Sequence, residues 1–186
     1  INAGSTGDVS LKAHWGKSDG NTFSYQKLSD TTANIGKGLS SLPNNVVIPK
    51  YVYVNNMSST NYSLGAYIVD EEFFNNGNAG VYKITEIRGG TDNGNGSYGI
   101  NNYSFYNTNI ESIEIPDTVT KIGILSFFQS GVKTIIIEGQ NLIEIGYGAF
   151  RESKLTSFVI PNSVTTMSER VFEYCENLTN ISIGSG

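Results

Sequence analysis

The chain holds a single cysteine, Cys175, in 186 residues, so no disulfide can form within it. That scarcity fits either a reducing compartment or a secreted protein stabilised by repetition. Charge is equally sparse. Asp, Glu, Lys and Arg together make up 16% of the residues, the formal net charge is −5, and no Lys/Arg cluster occurs. A nucleic-acid partner needs a basic footprint to displace counterions, so no nucleic acid is expected. No apolar run approaches the roughly 18–20 residues that cross a bilayer, and no basic segment followed by an apolar one opens the chain. Membrane insertion is not expected. Because the chain starts at Ile1, it reads as a processed form or a piece of something larger.

Catalytic groups are scarce too. The one histidine, His14, stands beside the one tryptophan, Trp15, near the start, where a surface role is the plainer reading. Cys175 has no histidine-bearing motif to pair with and reads as a small core residue. The segment "GGTDNGNGSYG" (89–99) lacks the acidic spacing of an EF-hand and the Gly-Lys-Ser/Thr of a P-loop, so it reads as a turn-rich loop. The acids of "DEE" (70–72) read as a solvated run. The expectation is a protein that is not an enzyme, with no cofactor and no metal.

Asn, Ser, Thr and 21 glycines take the place of charge. Six Asn-x-Ser/Thr sequons, at Asn56, Asn61, Asn95, Asn102, Asn177 and Asn180, matter only in a eukaryotic source. The informative feature is a period. Phe105, Phe127, Phe150 and Phe172 lie 22, 23 and 22 residues apart. Each is followed by an apolar-x-x-apolar-x-apolar segment: "IESIEI" (110–115), "VKTIII" (132–137), "LTSFVI" (155–160) and "LTNISI" (178–183). Val119, Leu142 and Val164 form a further column, as do Ile122, Ile145 and Met167.

Such a period predicts one short parallel strand per coil. Alternate residues of a strand face opposite sides, so Ile113, Ile135, Phe158 and Ile181 are expected inward, as are Ile115, Ile137, Ile160 and Ile183. One repeat cannot cover its own apolar edge, but a neighbour stacked about 4.8 Å along covers it. Pro116 and Pro161 end the strands, because proline has no N–H to donate and fixes φ. Asp117/Asn162 and Thr118/Ser163 then supply turn side chains, which explains why I-P-[DN]-[ST]-V is written twice.

These columns resemble BspA-type leucine-rich repeats, whose pattern reads I-x-x-x-A-F-x-x-C-x-x-L-x-x-I-x-I-P-x-S-V-x-x-I. "IGYGAFRESKLTSFVIPNSVTTM" (145–167) follows it nearly column for column, and "VFEYCENLTNISI" (171–183) follows the next half. Thr108, Ser130, Ser153 and Cys175 share the small-residue slot. The resemblance implies a leucine-rich-repeat solenoid with short helical or irregular segments opposite the strands. It divides the chain into regular repeats at 105–186, a founding coil with two insertions at 46–104 ("VVIPKYV" and "YKITEI" carry it), and an irregular β cap at 18–45. Residues 1–17 would be the tail of a preceding module, since "TGDVSLKAHW" (6–15) resembles the last strand of a Listeria–Bacteroides repeat.

What the family implies for function is a module of a bacterial surface protein, secreted or at the cell surface, that adheres to host matrix or other bacteria. The expected partner is an extracellular protein or glycan, and the alternative is a spacer holding a neighbouring domain. The outward strand positions would line a concave sheet: Glu114, Ile136, Val159 and Ser182, flanked by Ser112, Thr134, Ser157 and Asn180. Apolar residues at solvent-facing positions mark a contact patch, although β-branched residues also simply suit strands. The insertions offer a second surface through Tyr62, Tyr67, Phe73 and Phe74, beside Tyr53. The strand edge at 178–183 is a candidate for self-association.

Overall fold

The computed structural model describes residues 15–20, 22–38, 41–64, 66–102 and 104–184. The stretch 6–14, with His14 and most of the expected Listeria–Bacteroides strand, lies outside them.

The N-terminal half is a twisted sheet built on one long strand. β1 (Trp15–Ser18) is followed by an antiparallel hairpin of β2 (Phe23–Lys27) and β3 (Thr32–Lys37), which buries Tyr25, Ala33 and Ile35. Next come β4 (Asn45–Val47), β5 (Tyr51–Tyr53), β6 (Ser63–Leu64) and β7 (Tyr67–Val69). A five-residue helix, α1 (Glu71–Asn75), leads into β8 (Val81–Ile87). β8 is the hub: β5 runs antiparallel to it and β3 parallel to it, with β7 and β1 extending the sheet beyond β5. A small hairpin, β9 (Thr91–Asp92) and β10 (Tyr98–Gly99), precedes the repeats.

The repeats form two sets of parallel strands. On one side lie β11 (Ser112–Ile115), β13 (Thr134–Ile137), β15 (Ser157–Ile160) and β17 (Asn180–Ile183). On the other lie the short β12 (Lys121–Ile122), β14 (Glu144–Ile145) and β16 (Thr166–Met167). β4, β11 and β13 run parallel in register, Val46 beside Ile113 beside Ile135, and β15 pairs with β17 the same way, Phe158 beside Ile181. β8, β12, β14 and β16 make a second parallel ladder, Ile87–Ile122–Ile145–Met167, so the N-terminal sheet continues directly into the repeats. Between the ladders the phenylalanines stack. Centroids lie 5.3 Å apart for Phe105–Phe127, 5.5 Å for Phe127–Phe150 and 5.8 Å for Phe150–Phe172, with interplanar angles of 9° to 25°. One continuous core runs from Phe23 to Cys175.

Of the helical or irregular segments expected opposite the strands, the helical ones are not there, and turns with two-residue strands take the place. Among the described residues α1 is the sole helix, and it lies in an insertion instead of opposite the strands. Two left-handed residues per repeat forbid helix. One column is Leu125, Gly148 and Arg170 (φ 52°, 56° and 59°), and the other is Asn107, Gln129, Glu152 and Tyr174 (φ 50° to 56°). With the helical i→i−4 ladder broken, the backbone finds partners in the next repeat. Leu125, Phe127 and Gln129 donate to the carbonyls of Tyr147, Ala149 and Arg151 at 2.8–3.0 Å. Alternate amides are thereby satisfied between repeats, as a buried backbone requires.

Tight approach of the repeats also fixes glycine. Gly89, Gly123 and Gly146 follow β8, β12 and β14, and a Cβ on Gly123 would stand 2.5 Å from Gly89 N and 2.6 Å from its Cα. Only hydrogen fits there.

Candidate functional site

Three surfaces carry the residues singled out in the sequence. The first is the outer face of the strands. Register places Val47, Glu114 and Ile136 side by side across β4, β11 and β13, and Val159 beside Ser182 across β15 and β17. Their neighbours form a polar row: Asn45, Ser112 and Thr134, then Ser157 and Asn180. All eight expected residues therefore occupy this face. Ile136 is 47% exposed and Val159 58% exposed, while Glu114 and Ser112 are half-buried. Ser112 Oγ is engaged, donating to Asn45 Oδ1 at 2.7 Å.

Val47, 61% exposed, belongs to the same stripe and was not anticipated. Its signal was available, since "VVIP" (46–49) aligns with "IEIP" (113–116), placing Val47 opposite Glu114. The stripe is interrupted. The amide of Thr156 reaches Lys133 O at 3.1 Å, but beyond that point no ladder joins β13 to β15.

The second surface is the insertions, where most of the expected aromatics are occupied with packing. Tyr62 lies over the guanidinium of the buried Arg88, its ring centroid 4.1 Å from Cζ, and its hydroxyl accepts from Asn101 Nδ2 at 2.6 Å. Arg88, 3% exposed, in turn donates to Asn34 Oδ1 at 2.6 and 3.0 Å and to Ser24. Phe74 stacks on Tyr51 at 4.8 Å, and Tyr53 packs on the same small cluster with Val69 and Val81. Tyr67 is 40% exposed on β7 and presents its side chain outward. The Phe73 side chain lies outside the described set.

The third surface was missed in the sequence. It is a cleft of about 610 Å³ between the insertion and the first I-P-D-T corner. Lys50 Nζ sits 2.9 Å from Asp117 Oδ1 and 3.4 Å from Glu138 Oε2, while the Tyr51 hydroxyl donates to Glu71 Oε1 at 3.1 Å. Burial, and then the Glu71 hydrogen bond, push the Tyr51 phenol up. Thr85, Thr118, Thr120 and Asn141 supply hydroxyl and amide groups. Sequence reading treated the corner as a turn alone, and only folding brings residues 50, 71, 83 and 117 together.

Nothing resembling a reactive nucleophile emerges at Cys175. Its thiol is buried, donates to Phe150 O at 2.9 Å, and is pushed up by that burial, which holds it protonated. Among the described residues no group of three or more His, Cys, Asp or Glu could hold a metal ion, and no helix is long and apolar enough to cross a membrane.

Paired parallel ladders around a phenylalanine stack define a leucine-rich-repeat fold. Known structures agree. A leucine-rich repeat protein from Bacteroides capillosus superposes with a TM-score of 0.60 at 22% identity, over 89% of this chain and 96% of that one. The pneumococcal vaccine antigen PcpA gives 0.58 at 18% identity, and a leucine rich cell surface protein from Faecalibacterium prausnitzii gives 0.52 at 19%. The match takes in 92% and 88% of this chain respectively, but only 39% and 41% of those proteins' described lengths. No curated protein matches the chain. Residues 99–186 match the BspA type Leucine rich repeat region family in six copies, so that part of the chain is similar to the BspA-type leucine-rich repeats.

Proposed function

We propose that this chain is a non-enzymatic binding module of a bacterial surface protein, engaging an extracellular protein or glycan with the outer face of its strands. The observation that carries this reading is the set of exposed aliphatic residues on the strand face. Val47, Ile136 and Val159 are 61%, 47% and 58% exposed at register positions that face solvent, rimmed by Ser, Thr and Asn. Exposed apolar side chains set among polar ones are the usual make-up of a contact surface. Two fold relatives, a cell surface protein and a vaccine antigen, support an extracellular setting. We read the repeats as successive turns of one solenoid, which makes the strand face a broad platform suited to a macromolecular ligand.

The test is the double variant Ile136→Lys with Val159→Lys. Both side chains point outward, so the melting temperature should stay within a few degrees of wild type. Adhesion to immobilised extracellular-matrix proteins and to epithelial or bacterial cells should be abolished. Unchanged adhesion would eliminate the strand face as the binding surface and leave the spacer role as the better account.

A further inference from the structure

The outward residues of the strand face are neutral with one exception. Across β4, β11 and β13 the register sets Val47, Glu114 and Ile136 side by side, on strands about 4.8 Å apart. The row flanking them, Asn45, Ser112 and Thr134, carries no charge. Glu114 is therefore a half-buried carboxylate held between two aliphatic side chains, and these are 61% and 47% exposed.

Its charge has no counterpart within the chain. Among the described residues no Lys or Arg comes within ion-pair distance of Glu114, and the lysines that flank these strands are engaged elsewhere. Lys133 Nζ holds Glu111 at 3.2 Å, and Lys50 Nζ lies 2.9 Å from Asp117 and 3.4 Å from Glu138. The side chain that answers such an arrangement has an aliphatic stem and a cationic head. Lysine and arginine are built that way, since the stem lies along apolar surface while the head reaches the carboxylate. A saccharide is less well served. The row presents no aromatic ring for a sugar to stack on, and Ser112 Oγ already donates to Asn45 Oδ1 at 2.7 Å.

We infer that β4, β11 and β13 take a segment of an extracellular protein that lays a lysine or arginine side chain across Val47 or Ile136, with its head on Glu114. The inference rests on the strand face being the binding surface and adds the chemistry of what binds there. The formal net charge of −5 acts in the same direction, drawing a basic segment toward the chain before contact.

The experiment pans a random-peptide phage library against the immobilised full chain, and a synthetic copy of the most enriched peptide is then measured by calorimetric titration. Wild type is compared with Glu114→Gln, Glu114→Lys and the strand-face double Ile136→Lys with Val159→Lys. Each alters outward side chains only, and melting curves recorded beforehand separate lost binding from lost folding. Wild type should enrich sequences with Lys or Arg beside an apolar residue. The peptide should bind Glu114→Gln about tenfold more weakly, the lower end for a close interfacial charge pair, and Glu114→Lys should select acidic sequences instead. The inference is overturned if wild type enriches nothing, if the enriched sequences lack a basic residue, or if Glu114→Gln binds the peptide as wild type does. Unchanged affinity in Glu114→Gln beside lost binding in the strand-face double would reject this partner chemistry and keep the strand face as the binding surface. A peptide retained by both would reject the two together.

Discussion

Truncating Phe127 to alanine should be among the most damaging single changes in the repeats. The ring is fully buried and stacked on both sides, against Phe105 at 5.3 Å and Phe150 at 5.5 Å. Removing a buried phenylalanine costs about 3–5 kcal/mol through lost transfer energy and the cavity left behind. Each aromatic pair adds about 0.5–1.5 kcal/mol beyond area, so a value near 5 kcal/mol is expected for Phe127→Ala. Phe172 tests the same reasoning at the last described repeat. It is only half-buried and has one stacked partner, Phe150 at 5.8 Å, besides a tilted contact with Phe158. Phe172→Ala should cost about 2 kcal/mol, near the low end for large-to-small changes. For a chain of this size each kcal/mol lowers the melting temperature by about 2–4 °C, so the two variants should separate by at least about 6 °C. Scanning calorimetry together with urea titration measures both. Equal losses in the two variants, or a loss below about 2 kcal/mol for Phe127→Ala, would refute the stack as a cumulative source of stability.

Gly123→Ala should lower stability by about 2 kcal/mol, as overpacking does. The new Cβ would meet the Gly89 backbone at 2.5 Å, and a wild-type urea midpoint would rule out that close approach. Glu86 predicts a pH effect. It lies half-buried beside Lys121, which itself pairs with Glu144 at 3.0 Å. Burial raises its carboxyl above the usual 4.5, outweighing the attraction of Lys121, and Glu144 adds to the rise. A raised folded-state pKa gives stability that is complete below the ordinary carboxylate range and lost as pH rises through the folded value. Glu86→Gln should therefore melt higher than wild type at about pH 7 and equal to it at about pH 4. A melting difference constant across that range would contradict the burial argument.

The repeat columns were legible because stacking imposes the same demand on each pass. A side chain at Phe105, Phe127 or Phe150 meets its own copy one repeat along, so apolar character must recur every 22 or 23 residues. The strand registers followed from the same columns. The second ladder was harder to see. β12, β14 and β16 are two residues each, too short for an alternating pattern to register. The missing helices trace to left-handed residues such as Leu125 and Arg170, whose conformation comes from the neighbouring repeat and not from their own propensity. In the insertions, sequence showed exposed-looking tyrosines where the fold needed packing. Tyr62 is held by Arg88, 26 positions away, a contact with no periodic trace. The cleft was invisible for the same reason.

The strand face departs from simple repetition at one place, which coincides with a change of side chain in the inward column. In the inward column Ile113 and Ile135 are followed by Phe158. Its ring turns toward the phenylalanine stack, 5.2 Å from Phe150 and 5.3 Å from Phe172. The coils of β13 and β15 are joined just before the strands, where Lys154 N donates to Ser130 O at 3.2 Å and Thr156 N to Lys133 O at 3.1 Å, but the strands themselves share no ladder, and Ile135 and Ile137 are half-buried although they point inward. Ile136 and Val159 thus flank a break in an otherwise in-register sheet. Phe158 adds a fifth ring to the four of the stack beside this break, and a ligand that read this face would meet two apolar residues on either side of the break instead of a continuous row.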